Sequence, residues 1–328
     1  IAAHQEFLDK GGAFLGILAG DPDLLSGIDP KLVSAVVNPL LEAVRPVTAR
    51  IEANAANWCV VSAPVPSWAT RVFPSLPPRT GEARLWRVIL HLCRADQPDP
   101  VALWRSIGNE LAARAAYLNA RQYSSLKFKG AGTDLTVGLP LGHIWQGGRT
   151  LAKNGISFFP NIPTEEVYTL PHRLRVQGAV QSTRPFSYLG STIEGLRLLF
   201  KDGNVAECTA QKGEAQLREL IKTDEGACRL GEVALVPAST PIARTAILLR
   251  NVLFDENAAS HLAFGSAYRE SLRGGAEMSE EQFVEAGGNT SVTHVDFMIG
   301  SSDIDVDGFP AEGIPEPIMR RGEWVFAA

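Results

Sequence analysis

Cysteine is scarce in this sequence and never occurs in close pairs. The four cysteines lie far apart, at Cys59, Cys93, Cys208 and Cys228, and no Cys-x-x-Cys pair is present. This spacing excludes a zinc ribbon and a redox dithiol motif. Isolated thiols in a chain of 328 residues are typical of a reducing compartment, so we expect a cytoplasmic protein.

An excess of basic residues and a long apolar run are also missing. The chain has 31 Lys and Arg against 36 Asp and Glu, a formal net charge of −5. Proteins that bind nucleic acid or anionic membranes carry a basic surface, so neither partner is expected. No apolar run approaches the roughly 18–20 residues of a membrane span. The chain begins at Ile1 without a signal-peptide pattern, and we expect that more sequence precedes it.

The first part of the chain, residues 1–120, has the pattern of an α/β domain. Its apolar residues alternate between helical spacing and short continuous runs, and the latter are typical of parallel strands. The predicted elements are a helix over Ile1–Gly20, a helix over Pro30–Asn54, a strand over Trp58–Ser62, a proline-rich loop over Pro64–Pro78, a helix or strand over Ala83–Cys93 and a helix over Asp99–Leu118. We expect this domain to be incomplete at its start.

Residues 121–328 are dominated by short strands and Gly/Pro turns, which predict an α+β, mainly antiparallel C-terminal catalytic domain. Asp202-Gly203 is typical of a hairpin turn. Two helices interrupt the strands, a short one over Glu214–Lys222 and a long one over Glu256–Leu272, which Gly274-Gly275 would end. The length of the chain is compatible with these two domains.

His294 and Asp296 lie two residues apart in a segment with strand character. Side chains alternate between the faces of a strand, so the imidazole and the carboxylate point the same way. Burying these groups without partners is costly. A bound divalent cation would explain the pair, and so would a simple His–Asp hydrogen bond.

His261 and Tyr268 lie seven residues apart, which is close to two turns of the predicted helix, so we expect them on one face. Gly265 lies between them on that face. A glycine inside a helix costs about 1 kcal/mol relative to alanine, which is tolerable where another group approaches closely. Packing of the helix on a neighbouring strand is the alternative explanation.

Two further sites carry carboxylates. Glu165 and Glu166 lie between proline turns and the β-prone segment Val167–Thr169, and on a strand only one of them points inward. Glu232 begins a strongly apolar strand that runs to Pro237. A solvated strand end is the simpler explanation for each glutamate taken alone.

Five sequence blocks, taken together and in order, resemble the M29 family of metalloaminopeptidases. The resemblance is clear over residues 98–328 and diffuse before them. The blocks are Gly132–Pro140, Phe159–Pro171, Gly231–Pro237, Leu253–Ala258 with His261, Gly265 and Tyr268, and His294–Ser301 with Asp305–Gly308. Arg250, Val252 and the segment Ser279–Gly288 depart from the pattern, and we expect such departures to affect substrate preference.

The resemblance implies a set of metal ligands and an active-site tyrosine, Tyr268. The implied ligands are Glu166, Glu232, His261, His294 and Asp296. Three carboxylates and two imidazoles exceed the needs of one tetrahedral zinc ion, and they suit two divalent ions per chain, which would be Zn²⁺, Co²⁺ or Mn²⁺. The resemblance also implies a homodimer.

The expected activity is release of N-terminal amino acids from peptides with a free N-terminus by a metal-activated water. Tyr268 would stabilise the oxyanion. Glu165 adjoins a ligand and is the candidate for carrying the proton, although strand alternation directs it away. The alternatives are a dinuclear hydrolase of another amide bond, such as a carboxypeptidase or deacylase, and a non-catalytic, metal-stabilised binding protein.

Overall fold

The computed structural model describes residues 1–327. Its first part joins helices to a small parallel sheet in which β1 pairs with β2. The elements are α1 (Ala2–Asp9), β1 (Phe14–Leu18), α2 (Pro30–Glu52), β2 (Trp58–Ser62), α3 (Pro66–Val72), α4 (Pro78–Leu92) and α5 (Pro100–Arg121). The predicted helices over 30–54 and 99–118 and the strand over 58–62 are therefore confirmed.

Two predictions in this part were wrong. The helix expected over residues 1–20 ends at Asp9, and β1 follows after Gly11, whose φ of +74° is unfavourable for other residues. The segment expected to be a proline-rich loop contains α3, which begins with Pro66. A proline is well tolerated in the first turn, because the N–H that it lacks would have no partner there.

Helix α2 is the one helix within residues 1–327 that is long and apolar enough to cross a membrane by length and composition alone. This helix qualifies the expectation that no apolar segment approaches the length of a membrane span. Core helices of globular proteins and signal sequences pass the same test, so a single helix of this kind is a weak indication.

The second part contains mostly short strands. They are β3 (Ser125–Gly130), β4 (Thr133–Gly138), β5 (Gln146–Gly147), β6 (Thr150–Leu151), β7 (Ser157–Phe158), β8 (Val167–Thr169), β9 (Val176–Gln181), β10 (Phe186–Tyr188), β11 (Ser191–Ile193), β12 (Arg197–Lys201), β13 (Asn204–Thr209), β14 (Leu230–Leu235), β15 (His261–Gly265), β16 (His294–Met298), β17 (Asp305–Phe309), β18 (Glu316–Arg320) and β19 (Glu323–Trp324). The helices between them are α6 (Glu214–Leu220), α7 (Pro241–Arg244), α8 (Val252–Asp255) and α9 (Glu280–Glu285).

Two antiparallel sheets organise this part, as the strand pattern predicts. The larger sheet has the order β13-β12-β9-β4-β3-β17-β18-β19, and the smaller one has the order β16-β15-β14-β8-β5. Apolar residues of both sheets form one large buried cluster, to which α5 contributes Leu111 and Leu118. This shared core fixes the smaller sheet, which carries the candidate site.

The hairpin predicted at Asp202-Gly203 is confirmed. Lys201 pairs with Asn204 across a two-residue turn, and Asp202 and Gly203 have φ angles of +51° and +79°. Two consecutive residues with positive φ are the signature of a type I′ turn, which favours Asp-Gly because its twist matches that of the strands.

The long helix expected over residues 256–272 is wrong. This segment contains a 3₁₀ turn over Glu256–Ala258, strand β15 and a second 3₁₀ turn over Arg269–Ser271. His261 and Tyr268 therefore do not share a helix face. Strand β15 is buried along its whole length between β14 and β16, and its backbone hydrogen bonds to these neighbours outweigh the helical spacing of its apolar residues.

Candidate functional site

Strand register places the candidate side chains on one face of the smaller sheet. Glu232 on β14 lies opposite Ala263 on β15, and Ala263 lies opposite Asp296 on β16. Residues directly opposite each other on neighbouring antiparallel strands share a face. Glu232 and Asp296 therefore point to the same side, two strands apart with a small residue between them.

The remaining candidates extend this face by two-residue steps. His261 precedes Ala263 by two positions, and His294 precedes Asp296 by two, so both imidazoles join the same face. On the other side of β14, Tyr168 of β8 lies opposite Ala234. Glu166 is two residues before Tyr168 and directs its side chain to the same region.

Glycine at position 265 lets two strands approach closely beside the site. Gly265 lies opposite His294 and has a φ of +95°. A Cβ atom there would lie 2.1 Å from the carbonyl oxygen of Thr293, far inside van der Waals contact. The close approach expected at this glycine exists, although it occurs in a strand rather than in a helix.

The imidazoles and carboxylates converge closely. The Nε2 atom of His261 lies 3.1 Å from Oε2 of Glu166 and 3.6 Å from Oε1 of Glu232. The Nε2 atom of His294 lies 3.2 Å from Oε2 of Glu232 and 3.5 Å from Oδ1 of Asp296. Glu232 thus contacts both imidazoles, one through each carboxylate oxygen.

Backbone carbonyls orient both imidazoles. Nδ1 of His261 donates to the carbonyl oxygen of Ala259 at 3.1 Å, and Nδ1 of His294 donates to that of Ser266 at 2.8 Å. A carbonyl oxygen only accepts, so each Nδ1 carries a proton, and Nε2 is the atom that each ring directs toward the carboxylates. Such outer hydrogen bonds are typical of histidines that bind metals.

Burial and charge shift the pKa values of these groups strongly. Burial raises the pKa of the Glu166 carboxyl. Burial also acts to raise the pKa of Glu232, but hydrogen bonds from the two imidazoles outweigh it and lower that pKa well below its ordinary value. Burial opposes the charged form of His261 and His294, yet the surrounding carboxylates raise their pKa values well above the usual range. The site therefore attracts positive charge.

Two overlapping groups of donors fit divalent ions. Glu166, Glu232 and His261 offer ligand atoms within 4.8 Å of one another, and so do Glu232, His294 and Asp296. Glu232 belongs to both groups. The Oε2 atom of Glu166 is buried and makes no hydrogen bond within residues 1–327, as expected of a ligand atom. Oxygen and imidazole donors suit Zn²⁺, Co²⁺ and Mn²⁺.

A cavity of about 100 Å³ opens onto this face. All five residues expected as ligands line it, and so does Tyr268. The ring of Tyr268 lies 5.0 Å from that of His294 and 5.8 Å from that of Tyr168, measured between ring centroids. Tyr268 reaches the site from the turn after β15.

Glu165 is the one expected site residue that does not line the cavity. Its carboxylate forms an ion pair with Arg94, and its backbone N–H donates to Oδ1 of Asn257 at 2.6 Å. The alternation of the strand thus directs Glu166 inward and Glu165 toward the first part of the chain. The carboxylate of Glu165 therefore lies against Arg94, outside the lining of the cavity.

The sequence analysis missed further cavity residues, namely Glu52, Tyr168, Glu256 and Glu270. Tyr168 follows Glu166 by two residues, so strand alternation was sufficient to find it. Glu256 lies in one of the quoted blocks, but its isolated carboxyl gave no signal. Glu52 ends a helix of the first part, and no local pattern links that helix to strands more than a hundred residues later.

Comparison with known proteins agrees with this geometry. The sequence profile of the family described as "Thermophilic metalloprotease (M29)" matches residues 1–324. The chain belongs to the M29 family. Two relatives are Aminopeptidase T of Thermus thermophilus, 49% identical over 316 residues, and Aminopeptidase 2 of Geobacillus stearothermophilus, 44% identical over 324 residues. The matches cover 96% and 99% of this chain and 77% and 78% of those relatives.

A solved structure supports membership of the M29 family. The chain superimposes on wild-type AmpT from Thermus thermophilus with a TM-score of 0.90 and 46% identity, covering 99% of this chain and 79% of that one. This confirms a fold of helices with mainly antiparallel sheets. It also confirms the resemblance found in the sequence, and membership of this family makes the chain a metalloprotease, which implies a divalent metal.

Proposed function

We propose that this chain is an aminopeptidase that holds two divalent ions and removes single residues from peptides with a free N-terminus. Glu166, Glu232 and His261 would hold one ion, and Glu232, His294 and Asp296 the other. The proposal rests on Glu232, which belongs to both groups of possible metal ligands. Both groups line one cavity, and the chain belongs to the M29 family. Relatives named aminopeptidase support the reaction type.

When bound, the ions supply Lewis acidity, which lowers the pKa of a water molecule and polarises the peptide carbonyl. The residues of the chain do the rest. The smaller sheet positions the carboxylates and imidazoles, and Tyr268 lines the same cavity. A phenol is protonated at neutral pH, so Tyr268 can donate a hydrogen bond to the oxygen that becomes negative during attack.

Glu165 is left out of the proposal, because Arg94 holds its carboxylate away from the cavity. The proton that the water loses must reach the leaving amine nitrogen by another carboxyl. Glu256 has a suitable position. It lines the cavity, is only 9% exposed, and accepts a hydrogen bond from the Asn257 amide at 3.3 Å through one oxygen alone.

The activity is tested with a peptide supplied in two forms, one with a free N-terminus and one N-acetylated. We expect the metal-loaded protein to release the first residue of the free peptide and to leave the acetylated peptide intact. Equal cleavage of both forms would contradict aminopeptidase action and favour a hydrolase of another amide bond. A peptide blocked at its C-terminus is the matched control, and we expect it to be cleaved.

A further inference from the structure

A second pair of carboxyls lines the cavity without belonging to the ligand set. Glu52 is the last residue of α2, and Glu270 lies in the 3₁₀ turn that follows Tyr268. The two residues come from opposite parts of the chain. Both also line the neighbouring cavity beside α2. Burial raises the pKa of Glu270, and the charge of Glu52 raises it further.

Neither carboxyl has a cationic partner within residues 1–327. No ion pair joins Glu52 or Glu270 to a lysine, arginine or histidine in this part of the chain. The lysine and arginine side chains that act on their charges are Arg45 for Glu52, and Lys153 and Arg269 for Glu270. Both guanidinium groups donate to backbone carbonyls instead. Arg45 donates to the carbonyl of Ser291, and Arg269 donates to those of Gly275 and Met278.

One oxygen of this pair is buried and has no hydrogen-bond partner. Oε1 of Glu270 has no access to solvent and makes no hydrogen bond within the described residues. An acceptor that has lost its water without gaining a donor costs about 1–3 kcal/mol, and more when it is charged. Glu270 lines the cavity, so a ligand that reaches its carboxyl can bring the missing donor.

Glu52 is unfavourable for the helix that carries it. The C-terminus of a helix bears a partial negative charge, so cations are preferred there, and a carboxylate in the last turn costs about 0.3–1 kcal/mol. Helix α2 is 23 residues long and has Arg50 in its last turn, but Arg50 forms its ion pair with Asp9 rather than with Glu52. A negative group is therefore held at a negative helix end that faces the cavity.

We infer that Glu52 and Glu270 bind the α-ammonium group of the substrate and select peptides with a free N-terminus. This inference rests on the proposed function, which supplies the ligand: every substrate of an aminopeptidase carries this cation beside the bond that is cut. An ammonium group has three donors and no acceptor, so it can serve the buried Glu270 oxygen and the Glu52 carboxylate together. The first part of the chain thereby contributes to specificity.

The test compares Glu52→Gln, Glu270→Gln and the double variant with the wild-type holoenzyme. The substrates are a leucine-first peptide and its analogue with a hydroxyl in place of the α-amine. A hydrogen bond to a charged group is worth about 1.5–3 kcal/mol, so we expect each variant to raise KM for the amine substrate about tenfold or more. We expect kcat, the metal content and the low activity on the hydroxyl analogue to change less than twofold.

Binding is measured separately from turnover with 3-methylbutylamine and 3-methylbutanol, by calorimetric titration of the holoenzyme. We expect the amine to bind the wild type more tightly than the alcohol, and the variants to lose this preference. Glu277→Gln is the matched control, because Glu277 is exposed and lies outside the cavity. We expect it to behave as the wild type, so that a change of net charge alone is excluded.

Three results would overturn the inference. Variants with wild-type KM would show that the pair does not contact the amine. A loss of bound metal would make the pair part of the metal site. A defect confined to lysine-first peptides would assign the pair to a cationic side chain. If the wild-type enzyme already cleaves N-acetylated peptides as well as free ones, the proposed function itself fails, and this outcome is distinguishable from the other three.

Discussion

At the scale of single residues, Glu232 has the most consequential position. Each of its carboxylate oxygens faces a different imidazole, at 3.6 Å from His261 and 3.2 Å from His294. Because Glu232 belongs to both groups of possible ligands, its loss would affect metal binding in both groups. Glu166 and Asp296 each belong to one group only. Substitution of shared and unshared ligands should therefore have different effects.

We predict that Glu232→Gln removes nearly all bound metal, while Glu166→Gln leaves about one ion of the proposed two per chain. A neutral amide is a weaker ligand than a carboxylate, and loss of a ligand typically costs far more affinity than loss of an outer hydrogen bond, which already costs about 10–100-fold. Atomic emission of protein purified without chelator measures the content. A single ion in the wild type, or equal losses in both variants, would contradict the shared arrangement.

Tyr268→Phe should lower kcat by about 10²-fold to 10³-fold, the usual effect of losing one donor to an oxyanion. The ring contacts with His294 and Tyr168 remain in phenylalanine, so KM and metal content should stay close to those of the wild type. Steady-state kinetics with a free peptide gives both constants. A rise in KM at constant kcat would instead assign the phenol to substrate binding.

Asp255 should make stability depend on pH. It is 3% exposed, accepts from the Asn251 N–H at 2.9 Å, and burial raises its pKa from 3.8 to about 7. A raised pKa means that the folded state holds the proton longer than the unfolded state, so the contribution to stability is complete below about pH 4 and is lost as the pH rises toward 7.

The variant Asp255→Asn has no carboxyl to ionise at this position, so it should not lose stability in this way as the pH rises. The fall in the free energy of unfolding between pH 5 and pH 8 should be smaller than in the wild type by up to about 3 kcal/mol. Urea unfolding at the two pH values measures it, and the other titrating groups cancel in the comparison. Parallel pH profiles of the two proteins would refute the assignment.

The sequence predicted best the site residues whose position on a strand follows from the residues next to them in the chain. His294 and Asp296 share a strand, so alternation alone placed them on one face. Glu166 and Glu232 were ambiguous by themselves and gained a role through the family resemblance. Glu52 and Glu270 could not be found, because their meeting depends on how α2 lies against the smaller sheet.

At the scale of elements, the segment around His261 shows how tertiary contacts override local spacing. Apolar residues at helical intervals predicted a helix, yet the segment forms β15 between two neighbouring strands. The error did not affect the ligand prediction, since β15 still directs His261 into the site. It did affect Tyr268, which reaches the cavity from a turn.

Gly265→Ala should be strongly destabilising, and Gly274→Ala is its matched control. Both glycines have positive φ, +95° and +72°, where alanine costs about 1–2 kcal/mol. At Gly274 nothing lies within 4 Å of the new Cβ, whereas at Gly265 the Thr293 oxygen lies at 2.1 Å. We expect a loss of at least about 3 kcal/mol and weaker metal binding for Gly265→Ala only. Equal melting temperatures for the two variants would refute the close approach.

The strands of the second part were predicted more reliably than those of the first. Val167–Thr169 and the Asp202-Gly203 hairpin were recognised because alternation and turn residues are local signals. Strand β1 was taken for the end of a helix, since its partner β2 begins forty residues after β1 ends and leaves no local trace. Pairing between strands that lie far apart in the chain is the feature that is hardest to predict from a single sequence.

At the scale of the whole molecule, the fold agrees with the predicted combination of helices and mainly antiparallel sheets. The division into domains at residues 120 and 121, the homodimer and the cytoplasmic location stay predictions. Sedimentation velocity would test the dimer directly. Helix α5 adds Leu111 and Leu118 to the core of the sheets, so separate production of residues 121–328 would expose that part of the core.

Removal of metal should destabilise the whole chain. Without ions, three carboxylates and two imidazoles stay clustered in a buried site. Ligands present at about 100–1,000 times their dissociation constant each contribute about 2.7–4.1 kcal/mol. We therefore expect a chelator to lower Tm by about 10 °C, and Zn²⁺, Co²⁺ or Mn²⁺ to restore it. Glu232→Gln should show little change with chelator, and an equal change in that variant would mean that the chelator acts elsewhere.

The order in which the site strands occur along the chain has a kinetic consequence. Glu166, Glu232 and His261 lie on or beside three neighbouring strands. His294 and Asp296 lie on β16, which is one of the two edge strands of the sheet and the last of its strands to be synthesised. A nascent chain that has formed β8, β14 and β15 holds one donor group complete and the other unfinished. Ion uptake would then occur in two steps, and the second step would report that β16 has closed the sheet.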